Sequence, residues 1–544
     1  MSTPAEATYR PELIFALVGA AGARLSDLSK GLKDELKTFG YETEDIRLSD
    51  LLRNFLGWAD PPGPSEHDRI THLQNMGNEF RRRLEKGDAL ALAGIAEIRT
   101  RRANISKSPD QPASARAYIM HQLKHPDEVE LLRLVYGASF LLVAGHAPRK
   151  LRVTELAKRM ARIDLRPGEE EHFKPLAHTI IEIDEKQDDD YGQDTRDIYP
   201  KADFFANLGV DLGENEVRRF VDLLFGHPFH TPKPDEYAMY QAHAVSLRSS
   251  DENRQVGAVI VSLSRGRDGN IKNADVIAVG MNEVPRGGGG FYWDQDSPDR
   301  RDQMLLLMKG EDRAVEIKTS ALAELIERIA QKKWLQETIA TQRKVEVARD
   351  LLKYLKGTQF LDIGEFSRPV HAEMAALIDA ARRGVAVDGH SMYVTTFPCH
   401  NCAKHIIAAG IRRVVYLEPY PKSRALNLHG EEITPESTSG NEEEGTVVFY
   451  AFTGIAPRQY QQVFSMSERG KKQGKSLREW YAERLSLTPL YVQRNASLAY
   501  LAAERQELEK LPPEIYRWDK NTVCPGSRPE APIVDDAKPR RDEP

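Results

Sequence analysis

The chain has 544 residues, too many for one ordinary hydrophobic core, so two or three domains are expected. Its formal net charge of −6 and pI near 6.3 give no general reason to expect nucleic-acid binding. No run of about 18 apolar residues occurs and Met1 to Arg10 shows no secretion signal, so neither a membrane span nor export is expected. Three cysteines, two of them three residues apart, favour a metal or catalytic role in a reducing cytoplasm over a disulfide framework.

Residues 1–225 predict one α/β domain with a largely parallel sheet. The run Leu13–Val18 is short, apolar and unbroken, which is typical of a strand buried on both faces. Leucines then recur at helical spacing from Leu25 to Leu36, before Gly40. Three later apolar runs, separated by helix-prone charged stretches, predict further buried strands: Ser139–Ala144, Thr179–Ile183 and Ala202–Asn207.

A small-residue turn follows the first predicted strand, where a phosphate-binding loop would lie. A working loop reads Gly-x-x-x-x-Gly-Lys-Ser/Thr. With Gly19 aligned to the first glycine, Arg24 stands at the second glycine and Leu25 at the lysine, and only Ser26 matches. Gly22 and the helix N-terminus still favour an anion. We therefore expect nucleotide sensing, oligomer contacts or docking of a regulator here, and not phosphoryl transfer.

A second domain at residues 235–465 is predicted because the pattern changes after the proline-rich stretch 226–235. Helical segments between its strands indicate an α/β/α sandwich with a five-stranded sheet, interrupted by a charged, helix-prone insertion at 297–356. Residues 466–524 predict a helical extension, and 525–544 a disordered tail. The five strand candidates are Val256–Val261, Val276–Gly280, Ser391–Thr395, Arg413–Glu418 and Val447–Ala451.

Two short segments of this domain carry residues suited to a metal. His371 and Glu373 begin one helical pattern, and Cys399 and Cys402 begin another. Pro398 suits the first helical position of the second. Thiols three residues apart share a helical face, and the positive helix N-terminus favours thiolates. Two thiolates and one imidazole neutralise Zn²⁺ and leave a fourth position open, which is typical of catalytic zinc.

Glu373 follows His371 by two residues, so it is placed beside the metal and not on it. From there it can carry protons to and from a nucleobase during hydrolysis of its amino group. Two simpler interpretations of the cysteine pair are half of a structural zinc site and a redox pair. A structural site lacks a suitable fourth ligand, because Cys524 lies at the predicted tail, and a redox pair leaves His371 and Glu373 unexplained. The sequence therefore predicts catalytic zinc.

Five segments between Tyr237 and Arg458 form a recognisable set: Arg254–Ile260, Gly280–Glu283, His371–Glu373, Tyr393–Thr396 and Pro398–Cys402. This set resembles the cytidine and deoxycytidylate deaminase family. The resemblance implies deamination of a cytosine-type nucleotide, with Zn²⁺ as the cofactor. It also implies that Asn282 contacts the nucleoside, although a turn before Pro285 is an alternative role for that residue.

Glu418–Ser423 and Phe452–Arg458 extend the pattern, so that the whole chain resembles bacterial antiphage deoxycytidine-nucleotide deaminases. In that group a phosphate-loop-kinase-like domain precedes the deaminase domain. The resemblance implies conversion of dCTP and dCMP to dUTP and dUMP, which depletes dCTP during phage infection. It also implies restraint of activity in uninfected cells, for which a regulatory RNA or another inhibitor is the candidate partner. We also expect a homo-oligomer.

A nucleotide substrate needs cationic groups for its phosphate, and Arg248, Arg286 and Lys422 flank the predicted site. Each alone is typical of a solvated surface charge, but collectively we expect one or two to contact phosphate. Two alternatives stay open. A deaminase of bases in RNA or single-stranded DNA would need a basic groove and base-flipping aromatic residues. A nucleotide-sensing regulator with a deaminase fold would have no need of Glu373.

Overall fold

The protein divides into two compact units, Met1–His230 with Gln462–Pro544, and Thr231–Gln461. No helix in the described part of the chain is long and apolar enough to cross a membrane. The predicted tail, 525–544, lies outside the described residues. The computed structural model describes residues 10–187, 189–209, 214–252, 254–265, 271–310, 313–336, 342–355, 358, 366–420, 422–435, 445–465, 472–473, 476–477, 480–490, 492 and 498–518.

The first unit is an α/β fold around parallel strands. The strands are β1 (Leu13–Val18), β2 (Glu42–Arg47), β3 (Arg116–His121), β4 (Phe140–His146) and β5 (Phe204–Asn207). Within this unit they lie in the order β5-β4-β1-β3-β2, and each neighbouring pair is parallel. The helices are α1 (Leu25–Thr38), α2 (Leu48–Leu51), α3 (Glu66–Leu84), α4 (Ala89–Ser106), α5 (Pro126–Tyr136), α6 (Arg149–Ile163), α7 (Glu170–Glu185), α8 (Thr195–Ile198) and α9 (Glu214–Leu224).

Burial explains why β1 could be predicted from the sequence and β2 could not. Every residue of the central strand β1 is 0% exposed, so its sequence is continuously apolar. At the edge, β2 buries only Ile46, and its charged sequence resembles a loop. The strand prediction for Thr179–Ile183 was wrong, because this run lies in α7. Phe173 and Ala177 extend its buried residues at helical spacing, and a five-residue apolar run alone cannot distinguish helix from strand.

The C-terminal part of the first unit is held by a buried ion-pair network. It includes a short hairpin of β13 (Lys472–Gln473) and β14 (Ser476–Leu477), and helix α18 (Ala499–Leu508). Glu504 of α18 accepts hydrogen bonds from Arg102 at 2.6 and 2.8 Å and from Arg99 at 3.0 Å. Tyr500 donates to Glu12 at 2.6 Å, and Glu12 also pairs with Arg102. The predicted extension therefore packs as part of the first unit.

Replacing Glu504 by alanine should destabilise the first unit by about 3–5 kcal/mol, because two buried guanidinium groups would lose this partner. Guanidinium chloride unfolding, followed by circular dichroism, measures the change. Glu509→Ala, on an exposed side chain just beyond α18, is the matched control and should alter the free energy of unfolding by less than about 0.5 kcal/mol. Equal stability of Glu504→Ala and wild type would contradict the role of this network.

The second unit contains a mixed sheet with the order β10-β11-β9-β8-β6-β7. β6 is antiparallel to β7 and β8, and the remaining pairs are parallel. All five predicted strands are present, but a sixth, β10, extends the sheet by three residues that are too few to give a sequence pattern. The strands are β6 (Gly257–Arg265), β7 (Ile271–Met281), β8 (Ser391–Thr396), β9 (Arg413–Glu418), β10 (Ile433–Pro435) and β11 (Val447–Ala451), followed by β12 (Gly454–Ile455).

Helices lie on both faces of this sheet. The helix-prone insertion predicted at 297–356 contains three of the helices, two of which pack on each other through Leu322, Ile326 and Ala348. The helices are α10 (Pro234–Ser246), α11 (Asp302–Lys309), α12 (Arg313–Gln331), α13 (Lys344–Tyr354), α14 (Ala372–Arg383), α15 (His400–Ala408), α16 (Ala425–Leu428) and α17 (Pro457–Phe464).

Gly280 on β7 allows α14 to lie with its backbone directly against the sheet. A Cβ atom at this position would be 2.3 Å from the carbonyl oxygen of Ala372 and from the amide nitrogen of Ala376. On the other face, a Cβ at Gly257 would be 2.0 Å from a carbonyl oxygen of α10. Any side chain at either position would therefore displace a helix. Since α14 begins directly after His371, Gly280 also sets how deeply that residue lies.

Gly280→Ala should lower the free energy of unfolding by about 1–3 kcal/mol, because the added methyl group overlaps helix backbone that cannot rotate away. Gly287→Ala is the matched control, since no atom lies within 4 Å of its added Cβ. Urea unfolding of both variants measures the difference. If both glycines tolerate alanine equally, the close approach of α14 to β7 is not required for stability.

Candidate metal centre and cavity

Two helices direct their N-terminal ends towards a common centre. Helix α14 begins after His371, which is its N-cap residue, and α15 begins after Cys399, which is its N-cap residue. Cys402 lies in the first turn of α15 and is 0% exposed. Pro398 therefore precedes the N-cap, and its predicted place at the first helical position was wrong. The partial positive charge of both helix starts favours anionic ligands such as thiolates.

The three predicted metal ligands come together. Nδ1 of His371 lies 3.4 Å from Sγ of Cys399 and 3.3 Å from Sγ of Cys402. All three ligand atoms lie within 4.8 Å of one another. In a tetrahedral zinc site, bonds of about 2.3 Å to sulfur and 2.0 Å to nitrogen place those two atoms about 3.5 Å apart. The donor set and its spacing therefore fit a zinc ion with three protein ligands.

Glu373 lies beside these ligands, as the sequence predicted. Its side chain is 4% exposed, and Oε2 lies 3.3 Å from Sγ of Cys402. Burial raises the pKa of Glu373 to about 7, and the negative charge of Cys399 acts in the same direction. A carboxyl group with a pKa near neutrality can both accept and donate a proton at physiological pH.

The ligands also perturb one another. Hydrogen bonds from Cys402 and His371 lower the pKa of Cys399 to about 4, although burial opposes them. The hydrogen bond between His371 and Cys399 raises the pKa of His371 to about 9. The hydrogen bond between Cys402 and Cys399, together with burial, raises the pKa of Cys402 well above its ordinary value. The cluster thus holds its protons in a shared network, and these are the protons that metal binding releases.

A cavity of about 160 Å³ opens beside Pro369, two residues before His371. Its walls come from the turn at 250–252, the residues after β7, the starts of α11 and α12, and the segment 366–369. The insertion therefore contributes directly to the cavity. The polar and charged residues of its lining include Ser250, Asp251, Glu283, Asp302, Gln303 and Arg368.

Asn282, the predicted nucleoside contact, is 8% exposed and bonded to backbone at both ends of its amide. Its Oδ1 accepts from the amide of Val256 at 2.7 Å, and its Nδ2 donates to the carbonyl of Arg254 at 2.8 Å. Asn282 thus holds the segment that leads into β6. Its contact with a nucleoside stays a prediction.

The two predicted phosphate-binding arginines lie near the glycine-rich loop at 287–290. Arg248 places its guanidinium carbon 3.5 Å from the ring centroid of Trp293, a close cation–π contact. Arg286 forms an ion pair with Asp296 at 2.9 Å. Both cations therefore already have partners within the protein, and their binding of phosphate stays a prediction.

Lys422 is exposed and precedes Ser423, whose hydroxyl donates to the carbonyl oxygen of Pro398 at 2.7 Å. None of the four predicted substrate contacts is among the described residues that line the cavity. Glu283 and Gln303, which do line it, were not predicted as site residues. Glu283 was detectable because it lies within Gly280–Glu283, one of the segments that carry the family resemblance, whereas Gln303 lies in the insertion, where no motif marks it.

The turn that partly matches a phosphate-binding loop lies in the first unit. Gly19 follows β1 there, and Gly22 adopts a φ of +85°. The amide of Ala21 in this loop donates to the buried carboxylate of Asp184 at 2.7 Å. Ser26, in the first turn of α1, is exposed. A carboxylate of the protein therefore occupies one backbone donor that a phosphate loop would offer to its ligand.

Residues 232–418 match the family described as the cytidine and deoxycytidylate deaminase zinc-binding region. The deoxycytidylate deaminase of Enterobacteria phage T2 is 47% identical over 55 residues, which are 10% of this chain and 29% of that protein. ComE operon protein 2 of Bacillus subtilis (strain 168) is 48% identical over 54 residues, 10% and 29% of the two chains. A probable deoxycytidylate deaminase of Caenorhabditis elegans is 24% identical over 179 residues, 32% and 53% of the two chains.

The match confirms the resemblance predicted for this region and the zinc cofactor that it implies. The chain spans less than a third of the length of the first two relatives, and their similarity covers a tenth of the chain. The family match lies within the second unit.

Cys399→Ala should purify without bound zinc, because one of three protein ligands is lost. His405→Ala, which removes an exposed imidazole from the same helix, should retain about one zinc ion per chain. Elemental analysis by mass spectrometry measures the metal in both proteins. Stoichiometric zinc in Cys399→Ala would overturn the assignment of this ligand.

Proposed function

We propose that this chain, which carries a cytidine and deoxycytidylate deaminase zinc-binding region at residues 232–418, hydrolyses the amino group of deoxycytidine nucleotides. The observation that carries the proposal is the convergence of His371, Cys399 and Cys402, with Glu373 3.3 Å from the sulfur of Cys402. The relatives named as deoxycytidylate deaminases support dCMP as the substrate class.

In the proposed reaction, His371, Cys399 and Cys402 hold the metal. A zinc ion bound there would act as a Lewis acid and would lower the pKa of a water molecule to about 7. Glu373 accepts a proton from the attacking water as its oxygen bonds to C4 of the cytosine ring. The same carboxyl donates this proton to N3, then accepts a second proton from the new hydroxyl group on C4 and donates it to the amino group, so the C4–N bond breaks, a carbonyl forms at C4 and ammonia leaves. Water and cytosine thus become uracil and ammonia.

Burial suits Glu373 to this role. With 4% of the residue exposed, its carboxyl exchanges protons with the reacting groups in preference to bulk water. Asn282, Arg248, Arg286 and Lys422 are the proposed substrate contacts in this scheme. Because the two arginines have internal partners, binding phosphate would require them to exchange Trp293 or Asp296 for the ligand.

The proposal extends to dCTP as a substrate and to depletion of dCTP in defence against phage, supported by the resemblance of the whole chain to antiphage deaminases. It includes a phosphate-loop-kinase-like first unit, a homo-oligomer in the cytoplasm, and restraint by a regulatory RNA or another inhibitor. The loop after β1, with its glycine at a φ of +85° but without the lysine, supports an anion-sensing role for that unit.

Glu373→Gln should lower kcat for dCMP about 10²- to 10⁴-fold, because the amide cannot carry the proton, while zinc and dCMP stay bound. Ammonia release and product identity are measured with dCMP, dCTP, CTP and single-stranded DNA in parallel. Asp379→Asn, an acidic residue on the same helix near its C-terminal end, is the matched control and should keep wild-type turnover.

Turnover of dCMP by Glu373→Gln near the wild-type rate would contradict the mechanism. If the wild-type protein acts on single-stranded DNA and on none of the free nucleotides, its substrate is a polynucleotide and the proposed nucleotide substrate is wrong. No activity on any of the four, in a protein that contains zinc, would contradict the proposed function for the isolated chain.

A further inference from the structure

Glu283 is a buried carboxylate that neither the metal centre nor the proposed proton transfer uses. It is 3% exposed and lines the cavity. One carboxylate oxygen accepts from the amide of Ser250 at 3.1 Å and from its hydroxyl at 2.8 Å. The other accepts from the amide of Val284 at 2.8 Å. Three protein donors thus satisfy the carboxylate and fix the turn that carries Ser250.

The backbone of Glu283 connects the same residue to the metal centre. Its amide donates to the carbonyl of Val370 at 3.3 Å, and its carbonyl accepts from the amide of Val370 at 3.0 Å. Val370 directly precedes His371. Glu283 therefore orders the cavity wall through its side chain and the approach to His371 through its main chain.

Helix α11 of the insertion is attached to this arrangement at two points. The side chain of Gln303 donates to the carbonyl oxygen of Ser250. Asp302 forms an ion pair with Arg368, three residues before His371. All four of these side chains line the cavity. The insertion is thus held against the cavity through the turn whose position Glu283 sets.

We propose that the cavity beside Pro369 receives part of the substrate and that Glu283 is a positioning residue there: it holds Ser250, and through Ser250 the insertion helix α11, at the cavity wall. The inference rests on the proposed deaminase function. Both carboxylate oxygens are bonded within the protein, so Glu283 acts through its neighbours and does not contact the nucleotide.

The test is Glu283→Gln, which keeps the size of the side chain but turns one acceptor oxygen into an NH₂ group. That group would face either the amide of Val284 or the donors of Ser250, so the turn must shift. KM for dCMP should rise about tenfold, with kcat within about twofold of wild type. Zinc per chain should be unchanged, because the backbone bonds to Val370 remain. Gln303→Ala should raise KM in the same direction by a smaller factor.

Glu236→Gln is the matched control, because Glu236 is also a buried carboxylate, 1% exposed, but does not line the cavity. It accepts hydrogen bonds from the backbone amides of Lys233 at 2.7 Å and Ile455 at 2.9 Å. A substitution that only reduces the fraction of folded protein lowers apparent kcat and leaves KM unchanged. We therefore expect the wild-type KM in Glu236→Gln. An unchanged KM in Glu283→Gln, or an equal rise in Glu236→Gln, would overturn the inference.

Calorimetric binding of dCMP to the same zinc-loaded proteins separates this inference from the proposed function. If wild type binds dCMP without turnover and Glu283→Gln binds it about tenfold more weakly, the positioning role stands and the deaminase function fails. If wild type turns over dCMP and Glu283→Gln has the wild-type KM and Kd, the function stands and the positioning role fails. Absence of both binding and turnover in wild type would overturn both.

Discussion

The backbone contact between α14 and β7 at Gly280 is the constraint on which the candidate site depends. Only a residue without a Cβ allows the carbonyl of Ala372 and the amide of Ala376 to lie this close to the strand. The contact sets the depth at which α14 starts, and this start carries His371 and Glu373. A shift of the helix by a few tenths of an ångström would disturb a ligand set whose sulfur–nitrogen distances are 3.3 and 3.4 Å.

The site combines two kinds of electrostatic stabilisation. Two helix N-termini favour anionic ligands, and hydrogen bonds from Cys402 and His371 lower the pKa of Cys399 to about 4. Burial has the opposite effect on Glu373, since it raises the pKa of that carboxyl to about 7. The thiols and the carboxyl group of this small volume thereby differ in pKa, as the proposed division into metal ligands and a proton carrier requires.

The insertion is part of the cavity and not only a peripheral addition to the second unit. Its first helix, α11, contacts the turn at Ser250 and the segment before His371, so it is part of the cavity wall. In the first unit, the ion pairs between Glu504, Arg99 and Arg102 have a comparable effect, because they make a segment remote in sequence part of the fold. In both cases buried or half-buried polar contacts attach a peripheral helix to an α/β core.

Several features could be predicted from sequence because their physical signal is local. The apolar run of β1 reflects burial on both faces, and the spacing of His371, Glu373, Cys399 and Cys402 reflects the chemistry of a three-ligand zinc site. The prediction of secondary structure failed where the local sequence pattern was ambiguous. The run Thr179–Ile183 is equally compatible with strand and helix, and the charged β2 is a strand only because β3 supplies its hydrogen bonds.

The sequence by itself predicted the metal ligands, the proton carrier and the resemblance of the second unit to the cytidine and deoxycytidylate deaminase zinc-binding region, since residue type and spacing carry that information. Only the tertiary structure decided which residues surround the cavity. Glu283, Ser250 and Gln303 meet because a strand end, a turn and an inserted helix converge there, and no periodicity along the chain encodes this contact. The tertiary structure also showed that Arg248 and Arg286 have internal partners, because only three-dimensional packing brings Trp293 and Asp296 to them.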